Sequence, residues 1–165
     1  MLFVDLERMK EYGFKGFENI DTLSMFECSQ VPTKRGIYFV LHVNGSPSFL
    51  QKSVGGHFKD KDPTISIRDL KDNWVDETLV LYIGKAGGTN LKATLQSRLK
   101  QYMRFGEGAP VGHWGGRLIW QLANPREFLV CYKSLPHDEP REVEKSLIKD
   151  FELIYGKMPF ANLSH

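Results

Sequence analysis

Residues 79–88 read LVLYIGKAGG, an unbroken apolar run that reaches Tyr82, then Gly84, Lys85 and the pair Gly87-Gly88. A short apolar run closed by glycines reads as a buried strand. Upstream, Gly36-Ile37-Tyr38 opens a second such run, GIYFVLHV at 36–43, launched by VPTKR at 31–35. A third, EFLVCY, begins at Glu127. The first two strands carry a tyrosine close to a glycine, where a phenol is either packing or chemistry.

Two amphipathic patterns accompany the strands. Leu91, Leu95, Leu99 and Tyr102 recur at three-to-four spacing and predict a helix over 91–105. At about 100° per residue, Arg98 lies ~60° from Leu95, bordering the buried stripe, where an arginine either snorkels or presents its head to a ligand. Pro140, behind Asp138 and Glu139, opens a last helix that Gly156 and Pro159 end. On it Val143, Leu147, Ile148, Phe151, Ile154 and Tyr155 form an apolar arc, and Glu142, Lys145, Lys149 and Glu152 gather opposite. Glu144 falls inside the arc. A carboxylate there is ion-paired, hydrogen-bonded, protonated or metal-bound, because an isolated charge is costly to bury. Residues 1–30 are expected to form an N-terminal helical extension. The polar stretch 44–78, with Gly55-Gly56 and the mixed-charge run Lys59–Asp62, reads as a long insertion with one short helix.

At 165 residues, with 41% hydrophobic and 25% charged, the chain is most simply one folded domain rather than a disordered one. No window approaches the roughly 20 apolar residues of a membrane span, and Met1–Glu7 carries acids where a signal segment carries bases. The expectation is a cytoplasmic protein with no membrane role. Cys28 and Cys131 lie far apart, with no C-x-x-C and no paired histidines, which suits reduced packing residues and speaks against zinc. The net charge is a modest +2, but it is unevenly spread. Between 85 and 117 stand Lys85, Lys92, Arg98, Lys100, Arg104 and Arg117 against the single acid Glu107, so this window is +5 and the remainder −3. Such a concentration suits a polyanion such as a nucleic-acid backbone, and a solvated basic helix face leaves the same trace.

Taken together, the two strand tyrosines, the rim arginine, the carboxylate on an apolar helix face and the ending MPFANLSH resemble the GIY-YIG nuclease domain. G-I-Y at 36–38 and Y-I-G at 82–84 match its two naming motifs, and Lys85-Ala86 continues in the manner of its excinuclease branch. Arg98 matches the family's helix arginine, and Tyr102 a position one turn later often held by tyrosine or histidine. Glu144 matches its metal-binding glutamate, and Asn162 in P-F-A-N the asparagine after the last helix. The likeness covers roughly residues 31–163 and divides the chain into the extension 1–30 and a nuclease-like domain at 31–165. The connection between the motifs is longer than the usual hairpin, as is the gap from Glu144 to Asn162, and the role of 44–78 is left open.

The resemblance implies an α/β fold: a small, mainly antiparallel three-stranded sheet (36–43, 79–84, 127–133) flanked by helices. It also implies a metal-dependent endonuclease hydrolysing DNA phosphodiester bonds with one Mg²⁺ or Mn²⁺ held by Glu144. The residue types suit that chemistry. An ionised Glu144 is a hard oxygen ligand, and Arg98 offers a planar fork to phosphate oxygens. Tyr38 is expected as general base, its phenol needing Lys85, Arg98 and the metal to stabilise the phenolate. Tyr82 would orient the water or the phosphate, Lys85 would tune the charge, and Lys85 or Tyr102 are alternative bases. Asn162 would tie the chain end to the site. Lys92, Lys100, Arg104 and Arg117 would track the DNA backbone, and His113 would reach the scissile phosphate as an accessory acid or donor.

Only three residues follow Asn162, so specificity is expected to be weak or structure-based, aided by the insertion, a homodimer or a partner protein. Two other readings fit parts of the sequence. One is a nucleic-acid-binding module on the same fold that has lost cleavage and acts with a partner. The other is a nucleotide or small-phosphate binder using GKAGG, which lacks the G-x-x-x-x-G-K-[ST] spacing and leaves Glu144 unexplained.

Overall fold

The structure, a computed structural model, describes residues 1–43 and 45–163. In chain order its regular elements are α1 (Leu6–Tyr12), β1 (Lys15–Asn19), α2 (Ile20–Met25), β2 (Gly36–Leu41), α3 (Ile67–Asn73), β3 (Val80–Ala86), α4 (Leu95–Gly106), β4 (Leu129–Ser134) and α5 (Pro140–Tyr155). Every residue of β2 and all of β3 except Lys85 are buried, which is why both strands appear in the sequence as continuous apolar runs.

The strands form one antiparallel sheet in the order β1-β4-β2-β3, flanked by helices. The expected α/β architecture is present, with four strands in place of three. The additional strand, β1, lies in the segment expected to be helical. Its sequence, KGFEN, alternates poorly, and its pairing is imposed from outside by β4, with Lys15 opposite Tyr132 and Asn19 opposite Leu129. A bulge between Gly16 and Glu18 places Phe17 at φ 55°, breaking the alternation further. Residues 1–30 thus contribute an edge strand as well as α1 and α2.

Alternation along β2 sends Ile37, Phe39 and Leu41 to one face and Tyr38 and Val40 to the other. The first face packs on Met9, Phe14, Leu147, Ile148 and Phe151, from α1, α5 and the turn after α1. The second packs on α2, α4 and the 3₁₀ segment Arg117–Gln121. Among the described residues no helix is long and apolar enough to cross a membrane. Cys28 and Cys131 are free and buried.

Helix α4 begins at Leu95, four residues later than the apolar spacing predicts. Thr94 Oγ1 accepts the Ser97 amide at 3.1 Å, and Ser97 Oγ accepts the Thr94 amide at 2.8 Å, a reciprocal cap that starts the helix and leaves Leu91 exposed. On α5, Leu147, Ile148 and Phe151 are buried, whereas Ile154, expected in the arc, is 46% exposed. The stripe that α5 turns to the sheet is therefore narrower than the wheel predicts.

The 44–78 segment carries α3 and a 3₁₀ turn at Phe58–Asp60. It runs along residues 105–121, with Leu50 N on Gln121 O (2.8 Å), Val54 N on Trp120 O (2.9 Å) and Gly56 N on Phe105 O (2.9 Å). The buried Gln121 amide completes the seam, accepting from Ile65 N and donating to Leu50 O and Ile65 O. The segment buttresses the chain on both sides of the loop that holds His113 and Arg117.

Gly84 lies opposite Tyr38 in the β2–β3 register. An added Cβ would overlap Cζ of Tyr38 and stand 2.6 Å from its hydroxyl oxygen. Overpacking a buried site costs about 1–3 kcal/mol, so Gly84→Ala is expected to lower the unfolding free energy measured in urea by that order. A variant as stable as the parent would show that the Tyr38 ring is free to move aside.

Candidate active site

Three elements converge at the β3 edge of the sheet. β3 supplies Tyr82 and Lys85, α4 supplies Arg98, and α5 supplies Glu144, and these four line a cavity of about 340 Å³ together with Lys92. A second cavity of about 270 Å³ shares Tyr82 and Glu144 and is lined further by Trp114, Gly115, Gly116, Arg117 and Asn162. The two meet at Tyr82 and Glu144 and form one cleft with two lobes.

After α5 the chain returns to the outer edge of β3. Ala161 N donates to Leu81 O at 2.8 Å, Asn162 Oδ1 accepts from Ile83 N, and Asn162 Nδ2 donates to Ile83 O, both at 2.9 Å. The side-chain amide pairs with the strand as another strand would, and it fixes the backbone beside Tyr82.

Glu144 is half-buried. Among the described residues it accepts no hydrogen bond and has no ion-pair partner within 4.0 Å. Burial pushes its carboxyl above the usual value, and the charges of Lys85, Arg141 and Arg98 pull the other way. Arg98 commits one nitrogen to Gln101 Oε1 at 2.8 Å. Tyr82 is pushed up to about 12, first by burial and then by Glu144, with Arg98 opposing. Lys85 also feels Glu139.

Tyr38, expected as the base, stands behind Tyr82 and lines neither lobe. Its ring is fully buried, 5.9 Å from that of Tyr82 at 63°, and burial followed by the Tyr82 phenol holds its pKa well above the usual 10. Its hydroxyl lies 3.1 Å from His113 Nε2. The other ring nitrogen, Nδ1, lies 2.9 Å from Gly115 O, and a carbonyl can only accept, so Nδ1 carries the hydrogen. Nε2 is then bare and Tyr38 donates to it.

His113 is accordingly an interior residue. It is stacked on Tyr102 at 4.2 Å and held neutral by burial, which pulls it down to about 3. It does not reach the cleft as a phosphate donor. Tyr102 is also interior, its hydroxyl donating to Gly116 O at 2.6 Å.

The basic residues separate. Lys92 and Arg117 join the cleft, one in each lobe. Lys100 and Arg104 turn to the α2 side of α4 and line a different cavity with Glu27, Cys28 and Glu107. Lys100 is two residues past Arg98, about 200° around the helix. Trp114 was not singled out from the sequence, yet it lines the second lobe beneath the Arg117 guanidinium, 4.7 Å from its ring. An aromatic three residues before an arginine in a glycine-rich segment was the available signal.

The Gly87-Gly88 turn is not arranged as a phosphate loop. Glu139 occupies it, accepting from Thr89 N and Thr89 Oγ1 and placing negative charge where a phosphate would sit. Among the described residues no group of three or more His, Cys, Asp or Glu side chains is placed to hold a metal. The single carboxylate of Glu144, with both oxygens unpartnered at the junction of the lobes, fits a hard cation that keeps most of its coordination sphere as water. Compared with family models, curated proteins and solved structures, the chain matches none.

Because the Glu144 pKa is raised in the folded state, the folded protein binds more protons than the unfolded chain in the window between the two values, and stability falls as pH rises through it. Glu144→Gln is expected to be more stable than the parent at neutral pH, with the gain vanishing at acid pH, where both side chains are uncharged. An equal gain at both pH values, measured by urea unfolding, would assign the effect to packing. His113→Ala is expected to cost about 2–4 kcal/mol, from the cavity and the unpaired Tyr38 hydroxyl. Repeated in a Tyr38→Phe background, the same change is expected to cost roughly 1 kcal/mol less, and an identical cost would show that the two groups are not coupled.

Proposed function

We propose that the chain is a GIY-YIG-type endonuclease that hydrolyses DNA phosphodiester bonds with one Mg²⁺ or Mn²⁺. The observation that carries this reading is the convergence of Tyr82, Lys85, Arg98 and Glu144, from three separate elements, on one cleft in which an unpartnered carboxylate faces several bases. A structural salt bridge would leave the carboxylate paired. A phosphate-binding loop would leave Gly87-Gly88 free of Glu139.

Bound at Glu144, the ion would supply positive charge to a phosphate oxygen and to its bound waters. The chain's own groups do the rest. Arg98 binds phosphate oxygens through its fork and offsets the charge that grows on them, and Lys85 adds to the same field. Tyr82 is the phenol that reaches the cleft, so it, rather than Tyr38, holds and orients the attacking water at its hydroxyl. With its pKa at about 12, Tyr82 accepts a proton at neutral pH only when the charges at Lys85, Arg98 and the metal position lower that value. Tyr38 acts behind it, fixed by His113, and positions the Tyr82 ring. Lys92 and Arg117 would hold the strand on either side of the cut.

The test is cleavage of supercoiled plasmid and short oligonucleotides in Mg²⁺ and Mn²⁺. Glu144→Ala and Arg98→Ala are expected to lower the rate about 10²-fold or more, with thermal melting showing that both stay folded. Tyr82→Phe is expected to impair cleavage more than Tyr38→Phe. Full activity in Glu144→Ala would sink the assignment. DNA binding without cleavage in either metal would instead make the chain a binding module that works with a partner.

A further inference from the structure

We propose that the second lobe of the cleft receives an unpaired nucleobase, so that the preferred substrate is DNA whose nucleotide beside the cut phosphate is single-stranded. This rests on the endonuclease reading and names the substrate class of the same site.

The two lobes differ in chemistry. The first carries Lys85, Lys92 and Arg98, three cations suited to a phosphate. The second, beyond Tyr82 and Glu144, has Arg117 as its one cation, with Trp114, Gly115, Gly116, Ala161, Asn162 and Leu163 as its other walls. Its volume of about 270 Å³ gives room for one nucleobase.

Arg117 is the group that calls for a ligand. Its guanidinium lies over the Trp114 ring and is half-buried, and burial lowers its pKa. One nitrogen reaches Trp114 O at 3.3 Å. A guanidinium has five N–H donors, and among the described residues no other acceptor meets those of Arg117. A half-buried cation with spare planar donors at the mouth of a lobe walled by Trp114 and Tyr82 matches the acceptor edge of a base, and the Arg117–Trp114 pair supplies a flat surface for stacking. A base held in a duplex reaches this lobe only by leaving its stack and its partner, and an unpaired base avoids most of that cost.

The experiment compares initial cleavage rates on a single-stranded oligonucleotide and on the same sequence as a duplex, in Mg²⁺ and in Mn²⁺. The parent is expected to prefer the single strand by at least 10-fold. In Trp114→Ala the ratio of the two rates is expected to fall by about 10-fold, in line with the loss of one base–aromatic stack. Trp114→Phe, which keeps a ring, is expected to retain most of the preference and guards against misfolding of the alanine variant. A purely structural role for Trp114 would lower both rates together and leave the ratio unchanged, which overturns the inference, as does equal cutting of both substrates by the parent. If the parent cuts neither, the endonuclease reading falls and this one falls with it. Cleavage by the parent without the preference overturns only the lobe assignment and leaves the endonuclease reading standing.

Discussion

The Tyr38 ring lies across Gly84, and the site depends on that contact. The β2–β3 register sets the two residues opposite each other, and the bare glycine lets the ring settle on the strand without displacing it. Tyr38 and Tyr82 then share the face that packs on α4, and the edge of one ring holds the other. A slip of one strand by one residue would turn its phenol to the opposite face and separate the pair. From this pair outward the constraints are hydrogen bonds: His113 takes the Tyr38 proton end, Tyr102 holds Gly116 O, and Asn162 clasps Ile83 from the outer edge.

The result is a buried aromatic cluster that meets the cleft at Tyr82 and Glu144. Tyr38, Tyr102 and His113 are buried and held in their neutral forms. Tyr82 and Glu144 stand at the boundary, each shifted by burial toward its protonated form and each within the field of Arg98. Such a boundary is poised: added positive charge near Glu144 would favour the ionised forms of both groups, and an anion would be drawn to Lys85 and Arg98. A carboxylate without a protein partner is costly in a site that serves stability alone and reasonable in one that waits for a cation.

Much of this was readable in the chain. β2 and β3 showed as apolar runs because both their faces are buried, and α5 was bracketed by Pro140 and Gly156, which act locally. β1 was not readable, because KGFEN has little strand character and is held by β4. The start of α4 is not readable from periodicity, because Leu91 fits the apolar spacing while the cap at Thr94 and Ser97 decides the boundary. His113 looked like a polar loop residue. It became interior because α4 packs over it and the 44–78 segment braces the chain around its loop.

Residue chemistry and spacing along each element were settled by the sequence alone: the phenol at 82, the amine at 85, the guanidinium on the rim of α4 and the carboxylate on the apolar side of α5. These follow from local periodicity and residue type. Only the tertiary structure decided which groups meet, which face water and which carry the proton. Lys100 and Arg104 left the cleft because α4 presents another side to α2. Tyr38 became a donor because a histidine 75 residues away offers it a bare nitrogen, and Asn162 found its partner 79 residues away. Desolvation, proton position and access depend on segments distant in the chain, and no local pattern encodes them.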